Sequence, residues 1–227
     1  QMKEGSLRSK IILFDLDGTI IDSTEAILES FTKAYESFNA EVPSAESIKP
    51  LIGLPLEMMF EKLGVSTSDS LAYAKAYKEH YRTIHTQKTT LLPKAKEAIE
   101  LAHGYAKLGV VTTKTAEYSR ELLEHFGLMK YFDSLIGRED VKEPKPNPEG
   151  VLKAVDELRH RSGIATFLIG DSVVDMVAAE EALIGGIAVL TGYTSKDELL
   201  DSADFVTADI MAAVIMAEKR SLLHIGR

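Results

Sequence analysis

The sequence predicts an α/β fold: a parallel sheet with helices on both faces, interrupted early by an inserted helical unit. Three observations carry this. A short apolar stretch, Lys10-Ile11-Ile12-Leu13, runs into Phe14-Asp15-Leu16-Asp17-Gly18-Thr19-Ile20-Ile21 and reads as a buried parallel strand. After Asp22 the strand pattern stops, and about 65 residues of helical periodicity follow. From Leu92-Pro93 onward apolar strands and amphipathic helices alternate, the pattern of a sheet covered on both sides.

Within the insert, residues 25–38 place Ala26, Ile27, Ser30, Phe31, Ala34 and Phe38 near one helix face. Leu56, Met58, Met59, Phe60 and Leu63 form a second apolar stripe. Residues 68–86 form a third through Leu71, Ala74, Tyr77, Tyr81 and Ile84, with Asp69 in the N-cap region. Met58-Met59-Phe60 reads as internal packing rather than a cofactor contact, and His80, Arg82 and His85 as a polar helix face. Beyond the insert, helices at 94–106, 115–126, 147–161 and 174–184 precede strands at 108–112, 134–136, 165–169 and 186–190, respectively. Hinges are expected near 22–24 and 89–93. The organisation expected is a core of residues 10–22 and 90–220 and a helical cap of residues 23–89.

At 227 residues the chain can bury a full core, and one domain with an insertion fits the length. Its 26 Lys and Arg against 35 Asp and Glu give a net charge of −9, which argues against a nucleic-acid surface or an anionic membrane as partner. The absence of cysteine excludes a disulfide, a zinc–thiolate site and a thiol nucleophile, and fits the reducing cytoplasm, the expected location. The first ten residues are polar and show no signal-peptide core. The longest apolar run, residues 182–190, is far short of the roughly 20 residues that span a bilayer. A soluble monomer or homodimer acting on a small molecule is expected.

The candidate chemistry gathers at strand ends. Asp15 and Asp17, spaced i, i+2, lie on one side of an extended chain, and Gly18 lets the backbone turn sharply after them. The carboxyl ends of strands in open α/β sheets are where ligands bind. Two acids there repel each other unless a cation or a proton sits between them, which suggests a Mg²⁺ site with a nucleophile. Taken alone, the run also fits a strand closing in an Asp-rich turn. The stretch Thr166-Phe167-Leu168-Ile169-Gly170-Asp171-Ser172-Val173-Val174-Asp175 repeats the pattern and leads into a helix; Asp171 there suits a metal ligand or a helix N-cap. Between the two, Leu108-Gly109-Val110-Val111-Thr112-Thr113 ends in hydroxyls that could bind an anion or satisfy a turn. In Glu143-Pro144-Lys145-Pro146-Asn147-Pro148 two prolines flank a lysine and restrict where its ammonium points, against the default of a solvated loop lysine.

These four motifs, in this order and spacing over about residues 10–215, resemble those of the haloacid dehalogenase superfamily, subfamily IA, in its phosphoglycolate phosphatase-like branch. The resemblance implies a three-layer Rossmann-like core with an inserted C1-type helical cap. Phosphate monoesters resist hydrolysis, so an enzyme must supply an in-line nucleophile, charge neutralisation and a leaving-group proton. Asp15 suits the nucleophile, forming an aspartyl-phosphate, and Asp17 the acid and base; the resemblance assigns these positions the same roles. Members that release halide carry no acid at the position of Asp17, so its presence favours phosphoryl transfer. Mg²⁺ prefers six hard oxygens. The resemblance implies that Asp15 and Asp171 supply carboxylates and Asp17 its backbone carbonyl, with Asp175 holding a metal-bound water. It implies phosphate contacts from Gly18, the Thr112 hydroxyl and the Thr113 N–H, with Lys145 neutralising nucleophile and phosphate.

The chain departs from the family pattern in places. Thr113 stands where many relatives have Asn, Lys94 follows Pro93 where relatives often have Gly, and Ala182-Leu183 replaces a frequent Ala-Gly. The loop Ile52-Gly53-Leu54-Pro55-Leu56-Glu57 resembles the substrate-facing cap loop, and a cap of this kind acts as a lid that reads the unreacting part of the substrate. Phosphosugar mutases similar to β-phosphoglucomutase carry a basic residue near the position of Leu56, absent here. The function expected is a Mg²⁺-dependent phosphatase of a small phosphorylated metabolite, with phosphoglycolate foremost. A pyrophosphatase, a sugar or nucleotide phosphatase, or a phosphomutase of the same fold are the alternatives. A catalytically silent binding module is disfavoured, because Asp15, Asp17, Lys145, Asp171 and Asp175 are all in place.

Overall fold

In the computed structural model, which describes residues 8–220 apart from His160, the chain enters through β1 (Lys10–Phe14). It turns over residues 15–20 and leaves through a two-residue strand, β2 (Ile21–Asp22). Four helices follow, α1 (Thr24–Ser37), α2 (Ala45–Ile48), α3 (Leu56–Lys62) and α4 (Thr67–Ile84), before β3 (Thr90–Leu91) pairs antiparallel with β2. The two expected hinges are thus laced together as one short ribbon. Residues 1–7, most of the polar N-terminal stretch, lie outside the described residues.

The chain then alternates through α5 (Ala95–Tyr105), β4 (Ala106–Val111), α6 (Ala116–His125), β5 (Phe132–Ile136), α7 (Glu149–Leu158), β6 (Ala165–Gly170), α8 (Val173–Glu181) and β7 (Gly185–Val189). Beyond the elements anticipated come α9 (Lys196–Ser202), β8 (Phe205–Thr207) and α10 (Ile210–Lys219). The sheet order is β5-β4-β1-β6-β7-β8, with every pairing parallel. Successive side chains of a strand face opposite sides, so Ile12 and Phe14 pack with α5, α6 and α10 while Ile11 and Leu13 pack with α7 and α8. Burial on both faces explains why β1 is an uninterrupted apolar run.

The helical insert has an apolar cluster of its own. Phe31, Phe60 and Tyr77 meet at its centre, with ring centroids 4.6 Å apart for Phe31–Phe60 and 5.2 Å for Phe31–Tyr77. Three residues depart from the apolar stripes expected of them. Leu71 is 69 % exposed, Met58 faces solvent, and Phe38 ends α1 half-exposed, stacked on Tyr73 at 4.2 Å. The N-cap position of α4 is Ser66, which places Asp69 in the first turn instead.

Helices α7 and α8 stop short of their expected ends. Arg159 is extended, which closes α7 at Leu158. At the end of α8, Leu183 takes φ 59°, and the Ile184 N–H returns to the Ala179 carbonyl at 3.0 Å, the left-handed stop that glycine usually fills. Lys94, before α5, has φ 62°. Both sequence departures from glycine therefore sit in left-handed backbone. That conformation costs an L-residue about 1–2 kcal/mol, against about 0.4–1 kcal/mol of unfolded-chain entropy that a glycine adds. Leu183 is also 83 % exposed, so little packing is lost on its removal. Leu183→Gly should raise stability by about 0.5 kcal/mol, read as a higher denaturant midpoint at unchanged m-value; a lower midpoint would contradict the strain account.

Candidate active site

The site begins with strand register. Phe14 pairs with Val110 on one side and Ile169 on the other, so β1, β4 and β6 end level, and their next residues leave the sheet at one edge. The Asp15 N–H still donates to the Ile169 carbonyl at 2.9 Å, which holds the carboxylate just past the last rung. Across this edge Asp15, Asp171 and Asp175 each offer an oxygen, and the three lie within 4.8 Å of one another. All three are buried.

Lys145 is drawn into this cluster. Its Nζ donates to Asp175 Oδ1 at 2.6 Å and to the Val111 carbonyl at 2.8 Å, and lies 3.2 Å from Asp15 Oδ1. It is buried, not a solvated loop residue. The second oxygen of Asp175 accepts from the Ser172 N–H at 3.2 Å and the Ser172 hydroxyl at 2.8 Å. Ser172 is therefore the N-cap of α8, and the N-cap reading of Asp171 does not hold. With both Asp175 oxygens engaged, Asp15 and Asp171 are the carboxylates of the cluster best able to take a further partner.

Close backbone approach makes room for Asp171. A Cβ on Gly18, where φ is +82°, would stand 2.5 Å from Asp171 Oδ2, and one on Gly192 would stand 1.9 Å from the same atom. A Cβ on Gly170 would meet Asp175 at 2.4 Å. Thr19 donates to Asp171 Oδ1 at 3.1 Å, and Thr191 donates to the Gly18 carbonyl at 2.7 Å. These contacts were not anticipated; the signal was the local glycine and threonine content of two turns far apart in sequence.

Asp17 sits toward the helical insert. Its Oδ1 accepts from the Ser23 hydroxyl and stands 3.3 Å from Lys114 Nζ. Lys114, missed from sequence although it follows Thr112-Thr113 directly, donates to the Tyr81 hydroxyl at 2.5 Å and lies 4.3 Å from the centre of that ring. The Thr112 hydroxyl accepts from the Lys114 N–H at 3.1 Å, leaving its own proton to donate elsewhere. Thr113 spends its hydroxyl on the Gly53 carbonyl at 3.0 Å, while its N–H has no protein acceptor among the described residues. His85 proves to be a buried contact rather than part of a polar face: its Nε2 lies 2.6 Å from Glu121 Oε2 of α6. Helix α4 and its C-cap thereby touch the sheet-bearing unit, through Tyr81 and His85 respectively.

Four carboxylates, those of Asp15, Asp17, Asp171 and Asp175, face two ammonium groups, Lys114 and Lys145. When all are ionised, two negative charges remain uncompensated. The strain appears in the proton affinities. Burial, then the charge of Asp175, pushes Asp15 up to about 7 against the pull of Lys145. Burial, then Asp15 and Asp175, holds Asp171 well above the usual carboxylate range. Burial would lower Lys145, but its ion pairs with Asp15 and Asp175 outweigh that and raise it. An all-oxygen donor set with a surplus of two negative charges fits a hard divalent cation.

Comparison with known proteins agrees with this geometry. Residues 12–189 match the family model described as haloacid dehalogenase-like hydrolase. The chain belongs to that family. A relative from Caldanaerobacter subterraneus subsp. tengcongensis, provisionally named pyrophosphatase PpaX, is 34 % identical over 179 residues, covering 78 % of this chain and 80 % of its own. The phosphoglycolate phosphatase of Aquifex aeolicus is 30 % identical over 187 residues, covering 81 % and 86 %. A crystal structure from Bacteroides fragilis ascribed to the same hydrolase family superposes with a TM-score of 0.84 at 27 % identity, covering 90 % of this chain and 99 % of that one. As a haloacid dehalogenase-like hydrolase the protein is an enzyme, and the buried acid cluster at the end of β1 is its one metal-competent group of acids among the described residues.

The glycine contacts give a test of how tightly this hydrolase site is built. Gly192→Ala forces a Cβ onto Asp171 and should lower stability by about 1–3 kcal/mol. Gly104→Ala, in α5 with nothing within 4 Å of the new Cβ, should instead raise it by about 0.5–1 kcal/mol. Thermal denaturation of the two variants measures both signs, and a neutral Gly192→Ala would mean that Asp171 has room to spare.

Proposed function

We propose that the chain is a Mg²⁺-dependent phosphatase that hydrolyses a small phosphorylated metabolite, phosphoglycolate foremost, through an aspartyl-phosphate on Asp15. The observation that carries this reading is the placement of Asp15 and Asp17 at one strand end, with Lys145 3.2 Å from the first and Lys114 3.3 Å from the second. A nucleophilic carboxylate and a proton-transferring carboxylate would thus each have a cation at hand, Lys145 being shared between Asp15 and Asp175. The relatives named above favour two substrates, phosphoglycolate and pyrophosphate, and pyrophosphate is the second reading.

In this account Asp15 attacks phosphorus in line, an O–P bond forms, and the bond to the leaving oxygen breaks as Asp17 gives that oxygen a proton. Asp17 then takes a proton from the water that attacks the aspartyl-phosphate, releasing phosphate and restoring Asp15. The Thr112 hydroxyl and the Thr113 N–H are the donors available to the phosphoryl oxygens. Lys145 offsets charge on Asp15 and on the phosphoryl group. Asp15 and Asp171 would hold Mg²⁺ together with the Asp17 carbonyl, and the bound ion would offset the remaining negative charge and polarise a phosphoryl oxygen. Asp175 would hold Lys145 and orient the cation's water.

Residues 10–22 and 90–220 would act as the catalytic core and residues 23–89 as a lid hinged at the β2–β3 ribbon. A cavity of ≈ 70 Å³ between them, lined by Asp17, Gly53, Tyr81, Thr113 and Lys114, has room for several waters, which suits a small substrate. Among the described residues no helix is long and apolar enough to cross a membrane.

Phosphate release from phosphoglycolate and pyrophosphate, with and without Mg²⁺, tests the reading. Turnover should vanish with a chelator and return with Mg²⁺. Asp15→Asn should lose about 10³-fold or more in kcat while keeping the folded circular dichroism spectrum, and Asp17→Asn about 10²- to 10⁴-fold. An active Asp15→Asn protein would rule out the aspartyl-phosphate.

A further inference from the structure

The cavity beside Asp17 differs in charge from the acid cluster at the end of β1. Its lining carries three cations, Lys78, Lys114 and Arg138, against two acids, Asp17 and Glu57, among otherwise largely apolar groups. Lys114 is the cation nearest the proposed reaction: its side chain is 9 % exposed, and Asp17 is the one carboxylate within ion-pair distance among the described residues. That carboxylate is shared with the Ser23 hydroxyl. Lys145, by contrast, has two carboxylates. An ammonium has three donors; Lys114 directs them among Asp17, the Tyr81 hydroxyl and the cavity, with the Tyr81 ring steadying it. A charge held in an apolar, water-poor wall acts on a ligand more strongly than one in water.

We propose that Lys114 is a specificity-determining residue whose ammonium reads a negative charge on the leaving group, so that preferred substrates are small phosphate compounds whose departing fragment is itself an anion. This rests on the phosphatase reading above. Because Lys114 touches Asp17, the group from which Asp17 protonates an oxygen lies beside this ammonium. A carboxylate or a phosphate on that fragment satisfies the donor facing the cavity and adds the counter-charge that the cavity lining lacks. A neutral fragment leaves a buried ammonium short of a partner, the situation in which polar sites reject an analogue most strongly. Glycolate and phosphate as leaving groups share this chemistry, which unites the two substrates favoured above.

The test is a matched pair, 2-phosphoglycolate and its uncharged amide, 2-phosphoglycolamide, with pyrophosphate as a second anionic substrate. The Mg²⁺-loaded wild-type enzyme should favour the acid over the amide in kcat/KM by about 10- to 100-fold, the scale of a lost charge-assisted hydrogen bond. Lys114→Met should bring that ratio toward one and weaken pyrophosphate turnover alongside, while Lys114→Arg keeps most of the preference. Should Lys114→Met fail to fold, Lys114→Gln, which keeps a donor without the charge, gives the same reading. Loss of phosphoglycolate turnover alone in the uncharged variants assigns the site to carboxylates, and loss of pyrophosphate alone to phosphates. Equal wild-type rates on acid and amide, or an unchanged ratio in the uncharged variants, overturn this inference and leave the phosphatase reading standing. Phosphate release from none of the three substrates overturns both.

Discussion

Asp15, Asp17, Asp171 and Asp175 share one crevice with two ammonium groups, and keeping that surplus of negative charge buried is the constraint the surrounding structure serves. Uncompensated charge out of water is costly. The backbone answers by bringing three strand ends level, so that Asp15 and Asp171 stand directly after strand ends and Asp175 in the first turn of α8. Lys145 is anchored to the Val111 carbonyl as well as to its carboxylates, and Ser172 ties Asp175 to the first turn of α8. Gly18, Gly170 and Gly192 clear the space in which the carboxylates stand. Each device fixes an oxygen that would otherwise move away from its neighbours.

The helical insert contributes by enclosure. Its aromatic cluster around Phe31, Phe60 and Tyr77 is built almost wholly from the insert's own helices, with Tyr118 of α6 packed against its edge. It meets the sheet-bearing unit through the β2–β3 ribbon, the Tyr118 ring against Tyr81 and His85, and polar contacts that include Thr113 to Gly53, Lys114 to Tyr81 and His85 to Glu121. Such contacts are each worth about 1 kcal/mol, less than the insert's own core. Two of them use the residues directly after Thr112, so the position of the insert and the shape of the cavity beside Asp17 are set together.

Much of this was legible in the sequence because it depends on short-range pattern. The Asp15-Asp17-Gly18 run, the alternation of strands and helices, the helices α1, α3 and α4, and the restriction of Lys145 by its flanking prolines follow from periodicity, glycine and proline placement. The remainder depends on partners distant in sequence. His85 looks like one member of a polar face until Glu121 is brought to it. Lys114 looks like a solvated lysine until Tyr81 closes over it. Gly192 carries no motif of its own, and only the approach of Asp171 shows why a side chain is excluded there. Leu71 and Met58 matched helical stripes by spacing but lie outside the packed face, because a stripe defines a direction and the neighbouring helix decides how wide the contact is. β8 and α10 lie beyond the last strand expected from the alternation, and it is pairing with β7 and packing on the sheet that establish them.

The most direct measurement is the thermal midpoint of the substrate-free protein as Mg²⁺ is added, for the wild type and for Asp171→Asn. A cation that binds only the folded site stabilises it by RT ln(1 + [L]/Kd), about 2.7 kcal/mol at a hundredfold excess over Kd. The wild-type midpoint should therefore climb with Mg²⁺. Asp171→Asn removes one surplus charge, so it should melt no lower than the metal-free wild type and respond weakly or not at all to the ion. A wild-type midpoint indifferent to Mg²⁺ would contradict the account that the buried acids are assembled to hold a divalent cation.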